Sequence, residues 1–134
     1  MDTVNKYMLS DLLNPLGGTA DSDEKIIQFK DFNSNDEEAV KKIIIDEIKP
    51  HYDHMNDGYK TSVKRSLSYF LTTNRVDFGH VYDDCLIVFD HPADARDFFL
   101  WVWQVIFPGE NYHLENAESF VEINDYREPS HFYS

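Results

Sequence analysis

The segment from residue 90 to residue 107 constrains the fold most, because it predicts a long helix that is apolar over most of its surface. Pro92 suits the first position of such a helix, where the missing N–H is not needed. Residues 98–107 are apolar except for Gln104. This run is shorter than the ~20 residues that a membrane-spanning helix requires. Long apolar helices are usually buried on all sides, so other elements are expected to cover this one.

The spacing of apolar side chains predicts further helices. Residues 59–71 place their apolar side chains within one helical sector. Residues 34–37 match a capping box, which predicts that a helix begins there, and Pro50 is expected to end it. Residues 3–13 also have apolar side chains at helical spacing and are expected to form a helix.

Four segments have the composition of β-strands: residues 25–32, 76–81, 84–89 and 118–124. Residues 85–89 are continuously apolar, which predicts a central strand. Residues 14–24 are expected to be a flexible loop and residues 126–134 an unassigned C-terminal tail. The pattern predicts an α+β fold, with three to four helices packed on a sheet of three to four strands. A length of 134 residues fits a single globular domain.

The charge of the chain restricts its partners. Acidic residues outnumber basic ones by 25 to 12, and the net charge is −13. Residues 76–134 contain twelve acidic and two basic residues, whereas residues 49–75 contain two acidic and five basic ones. Such a field attracts cationic partners and repels nucleic acid and anionic membranes. The single cysteine and the lack of a signal-peptide pattern in the first residues favour a cytoplasmic location.

A helix that begins at Asp90 places five side chains in one narrow stripe. They are Asp90, Asp94, Asp97, Trp101 and Gln104. By its angle, Trp101 belongs to this acidic face and not to the apolar face that would enter the core. Either Trp101 is covered by a neighbouring loop, the tail or another subunit, or it is an exposed aromatic anchor of the kind found at binding hot spots. With Asp83 and Asp84 as further charges, the stripe is the predicted partner-binding site, and no metal or cofactor is expected there.

Other candidate sites are weaker. His51, Asp53 and His54 include two histidines at a spacing that can hold a metal, but nearby Pro50 indicates a loop. His80, Asp83, Asp84 and Cys85 form a second mixed cluster, which a strand would divide between two faces. A lone cysteine in an apolar segment is usually a small core residue rather than a nucleophile. The chain contains no recognisable catalytic motif.

Lys60, Lys64 and Arg65 lie on the outer side of the helix predicted at residues 59–71. Nucleic-acid binding would require a basic surface without the surrounding negative charge. These side chains are therefore expected to form a solvated face with ion pairs to the acidic flanks.

In its size, its acidic segment 76–134 and its stripe of Asp90, Asp94, Asp97 and Trp101, the chain resembles bacterial immunity proteins. These proteins neutralise cationic nuclease toxins, such as colicins and contact-dependent growth-inhibition toxins. No sequence motif is shared, so the resemblance assigns no residue a role. It implies a non-catalytic, cytoplasmic protein without cofactors, which binds a basic toxin domain and contacts neither nucleic acid nor membrane directly.

Three alternatives remain open. The chain could be a nucleic-acid mimic that inhibits a DNA- or RNA-binding protein, which would require many dispersed carboxylates and few aromatic anchors. It could be a small metal-assisted enzyme that uses His51, Asp53 and His54. It could also be a structural subunit that buries the helix at residues 98–107 in an oligomer, and the sequence leaves the oligomeric state undetermined.

Overall fold

The computed structural model of the chain describes residues 2–17, 32–87 and 89–132. These residues form a mostly helical fold with one small parallel sheet. The helices are α1 (Lys6–Leu12), α2 (Glu37–Ile43), α3 (Lys49–His54), α4 (Asp57–Thr73), α5 (Phe78–Asp84) and α6 (Ala95–Ile106). The strands are β1 (Thr3–Val4) and β2 (Val121–Glu122). An α+β description holds loosely, but the described residues contain two strands instead of the expected three to four.

Helix α4 packs against α1, α6 and β1, and it confirms the helix predicted at residues 59–71. Its first turn is capped by Asn56, whose Oδ1 accepts the N–H of Tyr59 at 2.9 Å. At its other end, Asn74 adopts the left-handed conformation with a φ of 56°. The buried face of α4 gives the other elements a common surface to pack on.

The helix that was expected to end at Pro50 continues through it. Asp36, and not Ser34, is the N-cap, since its Oδ1 accepts the N–H of Ala39 at 3.2 Å. After α2, Ile44–Ile48 forms a π-helical segment, and α3 follows directly. The change of hydrogen-bond register at the π segment places Pro50 in the first turn of α3, where a missing N–H is tolerated.

The strand predicted at residues 76–81 is wrong, because helix α5 occupies most of this segment. Asp77 caps α5 by accepting the N–H of His80 at 3.1 Å. The buried side chains Phe78, Val81 and Tyr82 follow helical spacing. A cap followed by this spacing favours a helix over an alternating strand.

The central strand predicted at residues 84–89 is also wrong for the part that the structure describes. Residues 85 and 86 form a turn after α5, and Ile87 makes an isolated bridge with Gly17. Val88 lies outside the described residues, as does the predicted strand 25–32 except for Phe32. The strand predicted at 118–124 shrinks to the two residues of β2 and is preceded by a 3-10 turn, Ala117–Ser119.

Helix α6 begins later than the sequence predicts. Asp94 is its N-cap, with Oδ1 accepting the N–H of Arg96 at 3.0 Å, so Asp90 and Pro92 precede the helix. The helix is buried over most of its surface, as expected for an apolar helix. Its buried side chains are Ala95, Phe98, Phe99, Trp101, Val102, Trp103 and Ile106. No helix in the described ranges is both long and apolar enough to cross a membrane.

Two segments that the sequence predicts as a loop and a tail contain 3-10 turns where the structure describes them. Asn14–Leu16 is a 3-10 turn with Leu16 buried, while residues 18–24 of the expected flexible loop lie outside the described residues. Glu128–Phe132 is another 3-10 turn, and its Phe132 ring contacts Tyr59 at 5.9 Å between centroids. Residues 128–132 therefore contact α1 and α4.

Candidate partner-binding surface

Trp101 is buried, and the interpretation of this residue as an exposed anchor is wrong. Its side chain is 8% exposed and belongs to the hydrophobic core. On the same face of α6, Asp97 is half-buried and Gln104 is exposed. Helical periodicity gives the angle of a side chain but not whether another element covers it. The alternative is confirmed in that Trp101 is buried. That a loop, the tail or another subunit covers it stays a prediction.

The predicted carboxylates lie on α5, on α6 and in the loop between them, and the stripe predicted for one helix loses Asp90, which precedes α6. Asp83 and Asp84 occupy the end of α5, Asp94 caps α6, and Asp90 lies in the connecting loop. Burial raises the pKa of the Tyr82 hydroxyl, and the charges of Asp90 and Asp83 raise it further. Both carboxylates therefore act electrostatically on the same hydroxyl, although seven positions separate them in the sequence.

The structure adds a third group of acidic side chains that the sequence did not connect with the others. Asn35 Oδ1 accepts the N–H of Ala93 at 2.7 Å, and Ser34 Oγ donates to the carbonyl of His91 at 3.2 Å. These bonds hold the start of α2 against the loop between α5 and α6. We call the combined set the acidic surface. It comprises Asp36, Glu37, Glu38, Asp83, Asp84, Asp90, Asp94 and Asp97.

Arg96 lies among these carboxylates in the sequence but forms no ion pair with them among the described residues. It is the only lysine or arginine between residues 76 and 126. Its Nη2 donates to the carbonyl of Leu71 at 2.8 Å and to Tyr112 Oη at 3.1 Å, and its Nε donates to Asn74 Oδ1 at 2.7 Å. The guanidinium thus joins α6 to the end of α4 and is engaged by neutral groups.

Two carboxylates of the acidic surface lie within bonding distance of a basic side chain. Lys41 bonds to Glu37 at 2.8 Å, and His80 lies 3.2 Å from Asp84. The other six carboxylates of the surface have no ion-pair partner among the described residues. The acidic surface therefore keeps most of its negative charge exposed to solvent or to a partner.

Of the three basic side chains on the outer side of α4, two form the predicted ion pairs with acidic residues elsewhere in the fold. Lys64 Nζ lies 2.7 Å from Glu110, and Arg65 lies 3.9 Å from Asp2. Lys60 stands over the ring of Tyr52 at 5.8 Å. None of these contacts involves the acidic surface, so the charge asymmetry of the sequence persists in the fold.

The candidate metal ligands are not brought together. His51, Asp53 and His54 lie on α3, but Asp53 bonds to Lys49 at 2.8 Å while His51 Nε2 lies 3.3 Å from Tyr59 Oη. Across the described ranges, no group of three or more His, Cys, Asp or Glu side chains has a geometry that could hold a metal ion. The first candidate cluster is thus divided between different contacts.

The second candidate cluster is divided as well. His80 pairs with Asp84 at the protein surface, whereas the Cys85 thiol points inwards to the carbonyls of Val81 at 3.2 Å and Ser10 at 3.6 Å. Burial raises the pKa of the Cys85 thiol to about 11. The thiol is therefore protonated at neutral pH, and a protonated thiol is a poor nucleophile.

A cleft of about 210 Å³ lies between α1, α5 and β2. Its rim mixes Lys6, Arg75 and His80 with carboxylates, and Arg75 Nε bonds to Glu122 at 3.0 Å. This mixture gives the cleft no dominant charge.

No protein-family model, curated protein or solved structure matches the chain. Of the surfaces described, the acidic surface has the strongest and most one-sided charge.

Proposed function

We propose that this chain is a non-catalytic, cytoplasmic protein that binds a basic toxin domain and neutralises it, in the manner of an immunity protein. The observation that supports the proposal is the acidic surface, whose carboxylates lie at the start of α2, on α5 and α6 and in the loop between these two helices, while Arg96 is hydrogen-bonded by neutral groups. The acidic side chains predicted from the sequence remain the proposed binding residues. Trp101 belongs to the hydrophobic core and is not one of them.

Charge complementarity explains how such a surface would act. Proteins that cleave or bind nucleic acid present basic side chains to the phosphates of their substrate. A surface of unpaired carboxylates attracts the same side chains, and steering of this kind raises association rates to about 10⁸–10⁹ M⁻¹s⁻¹ at low salt. Occupation of the basic surface by the acidic protein would exclude the nucleic acid.

The burial of Trp101 supports a second candidate, a nucleic-acid mimic that inhibits a DNA- or RNA-binding protein. Such a mimic needs dispersed carboxylates and few aromatic anchors, and Trp101 is only 8% exposed. The two candidates use the same surface but differ in their dependence on salt. A mimic should lose affinity steeply with added salt, because most of its contacts replace phosphates. An immunity protein with an apolar anchor should retain more of its affinity.

The experiment compares two double variants with equal changes of charge. Asp83→Lys with Asp90→Lys alters the acidic surface, whereas Glu115→Lys with Glu118→Lys alters exposed carboxylates outside it. The probe is the basic polypeptide encoded by the reading frame next to this chain, measured by stopped-flow association at low salt. We expect the first variant to associate at least about ten-fold more slowly than the control variant.

Equal rates for the two variants would show that only net charge matters, and would contradict a localised binding surface. If the unaltered protein fails to bind the neighbouring basic polypeptide, the immunity proposal is wrong. A nucleic-acid mimic would then be tested with basic DNA-binding proteins at increasing salt.

A further inference from the structure

Leu86 is an exposed apolar side chain next to the acidic residues at the end of α5. It is 71% exposed and follows Asp83 and Asp84 at the end of α5, with Asp90 four residues later. Its neighbours Cys85 and Ile87 are partly buried and pack against the hydrophobic core. The turn thus directs the two flanking side chains inwards and leaves the leucine in solvent.

The backbone of Leu86 makes this arrangement costly. Its φ is 53°, in the left-handed region where side chains other than those of Gly, Asn and Asp are rare. Elsewhere in the described residues, positive φ angles occur at Asn74, with 56°, and at Gly109, with 79°. Those two residue types tolerate the conformation. Leucine does not favour the backbone conformation at position 86, and its exposed side chain buries little apolar area there. Folding stability therefore does not explain a leucine at this position.

The turn that carries Leu86 is fixed by the surrounding structure. The N–H of Leu86 donates to the carbonyl of Asp83 at 3.2 Å, and the N–H of Cys85 donates to Tyr82 at 3.1 Å. Ile87 bridges to Gly17 on the far side of the turn. A side chain presented by an ordered turn loses less backbone entropy on binding than one on a mobile loop.

We infer that Leu86 is the apolar anchor of the acidic surface and inserts into an apolar pocket rimmed by lysine and arginine on a basic protein. This inference rests on the proposed function and adds to it the contact that carries affinity. Charge complementarity identifies the occupant: carboxylates flank Leu86 in the chain, so a cationic rim is favoured. A second copy that presented its own acidic surface would set like charges opposite each other, and an anionic membrane would be repelled.

The test replaces Leu86 by glycine, which suits a positive φ. Leu86→Gly should fold with an unchanged or higher melting temperature, because it relieves the backbone strain. Its dissociation constant for the neighbouring basic polypeptide should increase by about ten-fold or more. Ile123→Ala is the matched control, since Ile123 is 50% exposed and lies outside the acidic surface, and its affinity should change by less than about two-fold.

The outcomes separate the anchor from the proposed function. If Leu86→Gly keeps its affinity while Asp83→Lys with Asp90→Lys associates more slowly, the anchor is wrong and the acidic binding surface stands. If neither variant changes binding, or the unaltered protein does not bind, both are wrong. As a second measurement, a photo-crosslinking residue at position 86 should attach to an apolar pocket flanked by basic side chains. Attachment to an acidic or wholly polar site on the partner would contradict the inference that Leu86 is the apolar anchor.

Discussion

The side chain of Trp101 occupies the interior between α6 and the elements that cover it. We predict that Trp101→Ala lowers the free energy of unfolding by about 3–5 kcal/mol, because it removes a large buried side chain and leaves a cavity. Urea denaturation followed by circular dichroism would measure this. Gln104→Ala is the control on the same helix face, and its exposed side chain should contribute less than about 0.5 kcal/mol. A similarly small effect for Trp101→Ala would contradict its packing in the core.

The Cys85 thiol should react slowly with alkylating reagents at neutral pH. Burial raises its pKa from 9.0 to about 11, so the reactive thiolate forms only in alkaline solution. The folded protein holds this proton more tightly than the unfolded chain. The corresponding stability is therefore complete below pH 9 and is lost as the pH rises towards 11. Iodoacetamide labelling across this range would measure the midpoint, and a midpoint near 9 would contradict the burial of the thiol.

At the scale of single elements, α5 depends on its N-cap. We predict that Asp77→Ala costs about 0.5–2 kcal/mol of stability, because the His80 N–H loses its side-chain acceptor. Asp77→Asn keeps an oxygen at the same position and should preserve most of the stability. Thermal unfolding of both variants checks the prediction. Equal loss in the two would indicate that the negative charge, and not the hydrogen bond, is what matters.

Helices α4 and α5 and the segment around Pro50 show how far secondary structure can be predicted from a single sequence. Residues 59–71 have an uninterrupted helical period, which is why the prediction of α4 is confirmed. Residues 76–81 are short enough for the apolar pattern to fit a strand, and the decisive contact is the bond from Asp77 to the backbone of His80. Pro50 was expected to end a helix, but the π segment before it changes the register, and no apolar pattern signals such a change.

The candidate site was predictable in its chemistry but not in its assembly. The acidic residues at positions 83–97 follow from the sequence, because charge can be counted. Two hydrogen bonds from Ser34 and Asn35 add the start of α2, and these connect residues nearly 60 positions apart. The exposure of Leu86 could not be predicted from the sequence either, since the apolar pattern of residues 85–89 places it within a buried strand. Its exposure depends on a positive φ that composition does not encode.

For the whole molecule, Asn5 connects three parts of the fold and is only 1% exposed. Its Oδ1 accepts the N–H of Tyr7, which caps α1, at 2.9 Å, and its backbone N–H donates to Ser66 Oγ on α4 at 3.0 Å. Its Nδ2 donates to the carbonyl of Asp125 at 2.8 Å and to Glu128 Oε2 at 2.7 Å. One amide side chain thus ties α1 to the segment that follows β2.

We predict that Asn5→Ala lowers the free energy of unfolding by roughly 2–4 kcal/mol, since it removes a cap and leaves the partners of the amide unsatisfied. Asn5→Asp retains the cap acceptor but sets a carboxylate against Glu128 and should also destabilise the fold. Combining Asn5→Asp with Glu128→Gln exchanges donor and acceptor, and it should recover part of the loss. Denaturant titration of the three proteins measures the effect. No recovery in the combined variant would contradict a direct bond between the two side chains.

The parallel pairing of β1 with β2 has a consequence for how the chain folds. Thr3 lies opposite Val121, so the only sheet in the described residues joins positions near opposite ends of the sequence. Contacts of such long range raise the contact order and slow folding, because loop closure must precede any gain from pairing. During synthesis β1 is made before β2 and has no strand partner until residues 121–122 have been added. The helices can assemble first, and the sheet closes the fold last.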